Sequence, residues 1–250
     1  MSRPLAARGL ILALGLLAAL GGARARAEDP LLARPDPAEL LAQVRGAFPV
    51  QPLRLTAELQ ARDARGTLRK TLHAEARLER LADAPGAPLQ AQYTLRDAFG
   101  APLLEAEFLY RPDAPATGQV TRGKSDPAPP AWSEPIEGTD FTWADLTLAY
   151  LWWPAQRTVG FERRKSRPCW IVEVAHAATG EMAQLWLDPE TGLILRVEVR
   201  RGAGPVLRIL EVKRLRRLGE DLWMPGDMEV RTPAQGTKTM LRVRHLALEE

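Results

Sequence analysis

The sequence predicts a mainly β protein, built on antiparallel strands, with a very apolar helix buried against the inner face of the sheet. Three observations predict it. Apolar and polar residues alternate at a period of two through much of residues 53–248, the pattern of antiparallel strands with one buried face. The runs follow one another through turns, without the intervening helices that a parallel α/β sheet requires. Finally, the stretch Gly138-Thr-Asp-Phe-Thr-Trp-Ala-Asp-Leu-Thr-Leu-Ala-Tyr-Leu-Trp-Trp-Pro154 holds three of the seven tryptophans.

In chain order, residues 1–27 read as a secretory signal peptide. Arg3 and Arg8 form a basic start, Leu10 to Leu20 an apolar run, and Ala25-Arg-Ala27 a cleavage site, so the mature chain is expected to begin at Glu28. The apolar run is short for a membrane span. Asp36-Pro37 then opens a helix with a good N-cap and a proline in its first turn. Its apolar face is Leu40, Leu41 and Val44, and Gly46 and Pro49 close it.

From Leu53 the period changes to two. Four strands follow, carried by Leu53 to Leu59, Leu68 to Leu78, Leu89 to Leu95 and Leu104 to Tyr110. Residues 112–135 hold six prolines and the lone aromatic Trp132, which predicts a long loop able to act as a lid. The apolar helix over 143–153 comes next. Thr142 and Asp145 form a capping-box-like start, Leu146, Tyr150 and Trp153 fall on one face, and Pro154 ends it. Strands resume at Val159–Lys165, Cys169–Ala175, Ala183–Leu187, Leu193–Val199, Val206–Leu215, Trp223–Val230 and Thr237–Leu248. Asp188-Pro-Glu-Thr-Gly192 is a hairpin turn. The expectation is about eleven strands and two helices, in a single domain over 28–250.

Charge narrows the partners. The formal charge of +3 and the pI of about 9.3 include the leader. Four of the 34 basic residues lie in residues 1–27, which leaves 30 basic against 31 acidic side chains, about −1. The basic pI is therefore no argument for nucleic acid. With Cys169 as the one cysteine, no intramolecular disulfide can form. Its place in the alternating Cys-Trp-Ile-Val-Glu-Val run makes it a buried strand residue.

Gly118-Gln-Val-Thr-Arg-Gly-Lys-Ser125 matches a phosphate-loop pattern letter for letter. The chemistry of such a loop needs a helix N-terminus directly after it, and Asp126-Pro-Ala-Pro-Pro130 cannot supply one. A turn with a basic side chain is the reading adopted. No metalloprotease, serine-hydrolase or dithiol motif occurs, and His73, His176 and His245 are far apart on polar strand phases. No enzyme activity, cofactor or metal is expected.

Two stretches carry a resemblance. Gly138-Thr-Asp-Phe-Thr-Trp-Ala-Asp-Leu146 is similar to the G-[ST]-D-[FL]-[ST]-[YW]-x-D-[LM] segment of outer-membrane lipoprotein-sorting proteins, relatives of the periplasmic carrier LolA. Leu185-Trp-Leu-Asp-Pro-Glu-Thr-Gly-Leu-Ile-Leu195 resembles the W-x-D-x-x-[TL]-G-x-x-L strand pair of that family, and the segments from Gly219 onward resemble its closing strands. The resemblance implies a LolA-like fold: a strongly curved antiparallel half-barrel, plugged on its concave face by short helices, with acyl chains held between. It implies a bacterial periplasmic protein, a monomer, with lipid acyl chains or a lipoprotein as cargo and an envelope membrane protein as donor or acceptor. A sensing module that recognises envelope proteins or peptides is the alternative on the same fold.

On this reading the hydrophobic cavity is lined by Phe141, Trp143, Leu146, Tyr150 and Trp153 from the helix segment, and by Tyr93, Leu95, Phe108 and Trp186 from the strands. Trp132 lies over its mouth. If the helix only fills the barrel, the same residues pack against one another instead.

Overall fold

A computed structural model describes residues 34–82, 84, 87–219 and 222–249. The leader expected over residues 1–27 lies outside these. Residues from Arg34 onward form one compact unit.

The first helix, α1 (Pro37–Gly46), starts where the sequence places it. The Asp36 carboxylate accepts from the Ala38 and Glu39 amides, and Leu40, Leu41 and Val44 are buried. The chain then runs as a meander: β1 (Leu53–Arg62), β2 (Leu68–Arg80), β3 (Leu89–Asp97), β4 (Pro102–Tyr110) and β5 (Thr117–Arg122). After a crossover it continues as β6 (Ala155–Arg164), β7 (Arg167–His176), β8 (Glu181–Asp188), β9 (Leu193–Arg201), β10 (Val206–Leu218), β11 (Leu222–Thr232) and β12 (Thr237–Leu248). β12 pairs antiparallel with β1, so all twelve strands join in one sheet with β5 and β6 at its two edges.

The sheet cannot be flat. Laid out at the usual strand spacing it would measure roughly 50 Å from edge to edge. Yet apolar residues from both halves, such as Leu95, Phe108, Leu185 and Val212, join one buried core together with the crossover. A single short helix, α2 (Trp143–Leu146), reaches both halves. Its Trp143 ring meets Tyr93 of β3 at 6.2 Å, and its Asp145 meets Arg208 of β10 at 3.3 Å. The sheet is thus a curved, open half-barrel, and residues 123–154 pass across its concave side from one edge to the other.

Two expectations need correction. The proline-rich stretch is not all loop, because β5 arises inside it and brings the strands among the described residues to twelve. Its cue in sequence is weak, since Val120 is its one fully buried residue. Gly118 sits opposite Phe108, and a Cβ there would run into the Phe108 ring and lie 2.7 Å from the Glu107 carbonyl. The first glycine of the phosphate-loop pattern therefore makes room for a core aromatic. A turn at Gly123 follows, not a helix.

The second correction concerns the apolar helix. It is one turn, α2, and then a 3-10 turn over Ala149–Trp152, separated by Leu148 in the left-handed region at φ 54°. Thr147 turns its hydroxyl back onto the Trp143 carbonyl at 2.7 Å, a bond that competes with regular helix. The Tyr150 hydroxyl donates to Asp145 at 2.6 Å, a contact five residues apart that a continuous helix would not favour. A left-handed leucine costs on the order of 1–2 kcal/mol, which these buried bonds offset.

Candidate functional site

The crossover is held by two aspartates, and both belong to the 138–146 motif. Asp140 lies against the β11–β12 turn. One carboxylate oxygen accepts from the Thr232 hydroxyl at 2.7 Å and the Thr237 hydroxyl at 2.5 Å, and the other from Thr239 at 2.7 Å. The Asp140 amide in turn donates to the Thr239 oxygen at 2.8 Å. Asp145 caps α2. It accepts from the Thr142 amide and hydroxyl, and it pairs with the Arg208 guanidinium.

Arg208 also meets Glu181 at 3.5 Å, and Ser133 donates to that same carboxylate at 2.7 Å. Asp145, Glu181 and Arg208 are all buried. Burial opposes the Arg208 charge, but Tyr150, Asp145 and Glu181 outweigh it and hold its pKa above the ordinary range. Burial, reinforced by Asp145, likewise keeps the Tyr150 phenol protonated well above its usual pKa. These groups are engaged with each other through ion pairs and hydrogen bonds, with Arg208 Nε in ion-pair contact alone. They fix the crossover, and nothing in their arrangement presents a nucleophile to a cleft.

The aromatic residues expected to line a cavity pack together behind that fixture. Phe108 is central: its ring lies 5.8 Å from Tyr93, 5.4 Å from Trp132 and 5.1 Å from Trp143. Tyr150 and Trp153 meet edge to face at 4.7 Å. Leu95, Phe141 and Leu146 are buried in the same core. Trp186 is elsewhere. It alternates away from Leu185 and Leu187 and joins Cys169, Leu193 and Leu195 on the opposite face of the sheet. There its indole N–H donates to Glu162 at 2.8 Å, and the Arg164 and Arg196 guanidinium groups lie over its ring.

The open space lies beside this packed core, at the end of the half-barrel that α1 covers. A cavity of about 520 Å³ is walled by Phe48, Leu89, Tyr110 and Trp152, with Ala42, Val50, Ala84, Ala87 and Pro112 around them. Its size falls within the range of small-molecule sites. Trp152 lies tilted against Tyr110 with ring centroids 4.3 Å apart, and Tyr110 stacks on Phe108, so the packed aromatics form the cavity floor. Burial raises the Tyr110 phenol well above its ordinary pKa, and its hydroxyl reaches towards Thr147 without hydrogen-bond geometry.

Two arginines stand in the cavity wall. Arg80 donates to the carbonyls of Arg45, Gly46 and Phe48 at 3.0–3.3 Å, closing the end of α1. Arg45 donates to the Leu151 carbonyl at 2.9 Å, tying α1 to the 3-10 turn. On its other side α1 meets the β8–β9 turn, where a Cβ on Gly192 would collide with Ala47. That turn is the second motif stretch: Asp188 accepts from the Glu190 amide at 3.0 Å and the Thr191 hydroxyl at 2.6 Å. None of the cavity-wall residues was singled out from sequence, although Leu89 and Tyr110 do fall on the apolar phases of their strands.

Comparison with known proteins places this geometry. A family model described as "Uncharacterized protein" matches residues 106–250, more than half of the chain. No curated protein matches. Among solved structures, a DUF1329 family protein from Desulfovibrio piger is 14% identical, covers 85% of this chain and 92% of its own, and has a TM-score of 0.69. An outer membrane lipoprotein-sorting protein domain from Vibrio parahaemolyticus is 13% identical with the same coverage and a TM-score of 0.69. A LolA superfamily protein from Nitrosomonas europaea is 10% identical, covers 87% of this chain and 95% of its own, and has a TM-score of 0.62. The chain belongs to the family whose model spans residues 106–250, and its fold is the LolA-like half-barrel of lipoprotein-sorting proteins.

Proposed function

We propose that the protein is a bacterial periplasmic carrier that holds an acyl chain in the cavity between α1, Trp152 and the ends of β2–β4. The observation that carries this reading is the cavity itself, an aromatic-walled space next to the buried aromatic core. Burying a chain there is worth about 0.8 kcal/mol per methylene. Roughly ten methylenes supply ~8 kcal/mol, the free energy of a micromolar complex before the costs of association. No residue needs to do chemistry, and the reading assigns no catalytic step. The likeness to lipoprotein-sorting structures supports the same cargo class, a lipid or lipoprotein. No helix among the described residues is long and apolar enough to cross a membrane.

The test is mass spectrometry of an organic extract from protein purified out of its native envelope. A stoichiometric acyl lipid is the expected result, and lipid-free protein that also fails to take up fatty acid would overturn the proposal.

One observation favours a second reading, recognition of an envelope peptide. The outer edge of β5 is partly paired, because Val120 exchanges hydrogen bonds with Ala128. Among the described residues no strand or bridge covers the outer edge of β6, and an extended peptide can add to such an edge. Binding of envelope peptides that is abolished by Val159→Pro, without bound lipid, would favour this second reading.

A further inference from the structure

The geometry points to a specific class of cargo for this cavity: a single acyl chain ending in an anion, with its head held by Arg45 and Arg80. The inference rests on the carrier reading and narrows it. Arg45 and Arg80 are the charged residues in the cavity wall, and no carboxylate among the described residues lines it. The remaining wall is apolar or aromatic, so a chain and a charged head are sorted to different places by the same pocket.

Both guanidinium groups are already positioned. Arg80 is fixed by three backbone carbonyls on one nitrogen, Nη2. Its Nε is buried and has no hydrogen-bond partner. Among the described residues its charge meets the carbonyls at and just beyond the end of α1, and no carboxylate pairs with it. Arg45 spends Nη1 on the Leu151 carbonyl. Burial lowers its pKa against the opposing pull of Asp113, which lines an adjoining groove with Arg45. A carboxylate or phosphate between the two arginines would accept charge-assisted bonds from side chains that backbone carbonyls already anchor in the cavity wall. A neutral head would leave both charges as they are.

The experiment is displacement of the neutral dye N-phenyl-1-naphthylamine from delipidated protein by three ligands with the same chain: dodecanoate, dodecyl phosphate and dodecanol. Each is used below its micellar concentration. At least one of the two anions is expected to bind about tenfold or more tightly than the alcohol, the scale of one hydrogen bond to a charged group. Which anion prevails distinguishes a free fatty acid from a lipid phosphate head. Arg45→Gln and Arg80→Gln remove charge while keeping a donor for the carbonyls, and each is expected to narrow the gap without changing alcohol binding. Should either variant fold poorly, salt serves instead: raising ionic strength should weaken the anions alone. Equal binding of all three ligands overturns this inference and leaves the carrier reading standing. No binding of the dye or of any ligand overturns the carrier reading as well.

Discussion

Replacing Asp140 with alanine tests whether the 138–146 motif is a mechanical fixture. The carboxylate accepts three threonine hydroxyls from the β11–β12 turn, so the substitution orphans all three. Thr239 is fully buried and its hydroxyl loses a bond to a charged acceptor, at about 1.5–3 kcal/mol. Thr232 and Thr237 are half-buried and can turn to water, so their share is nearer 0.5–1 kcal/mol each. The expected total is about 2.5–5 kcal/mol, read as a shift in the urea midpoint at constant slope. Asp140→Asn retains one accepting oxygen and should lose about half as much. A double-mutant cycle with Thr239→Val isolates the pair, and a coupling of about 1.5–3 kcal/mol is expected. If Asp140→Ala costs less than about 1 kcal/mol, within the range of an ordinary surface substitution, the fixture argument is wrong.

Three further outcomes follow from other parts of the structure. Arg208→Met leaves Asp145 and Glu181 buried without their cation and should cost about 3–5 kcal/mol in denaturant unfolding; a loss below that of a typical single substitution would contradict the pairing. Burial, helped by Asp188, pushes the Cys169 thiol up to about 11, so at pH 8 it should react with an aromatic disulfide reagent only as fast as the protein opens. Immediate labelling of native protein would show the thiol to be accessible. Burial holds His176 below its ordinary pKa of 6.5, so the unfolded chain binds that proton more readily than the folded one. Stability should therefore be retained above pH 6.5 and fall as pH drops below it, and His176→Gln should flatten that fall in thermal midpoints measured across pH 5–7.

The strands were legible because one face of each is buried, so period two survives in residues such as Leu72, Ala74 and Ala76. β5 was not, since an edge strand with a single buried residue leaves almost no periodic trace. The crossover was legible as apolar and capped, but not as broken. The left-handed Leu148 answers to Asp145, Tyr150 and Arg208, whose meeting depends on the curvature of the whole sheet. Periodicity also assigns a face without saying whether that face is filled. Tyr93, Phe108 and Trp143 meet one another, and their own rings occupy the space between them. Trp186 could have been separated by its phase, since Leu185 and Leu187 point the other way. The cavity is different in kind. Phe48, Leu89, Tyr110 and Trp152 come from four segments that only the end of a curved sheet brings together.

Filling that cavity tests the central claim most directly. Ala42 is exposed on α1 and lines the cavity, so a larger side chain there can enter the open space without displacing the core. A fluorescent fatty acid is titrated into delipidated wild type and into Ala42→Trp, with thermal midpoints recorded for both. The account predicts saturable binding by wild type and a loss of tenfold or more in affinity for Ala42→Trp, about 1.4 kcal/mol, at unchanged stability. Equal affinity in the two proteins would place the acyl chain somewhere other than this cavity and contradict the account.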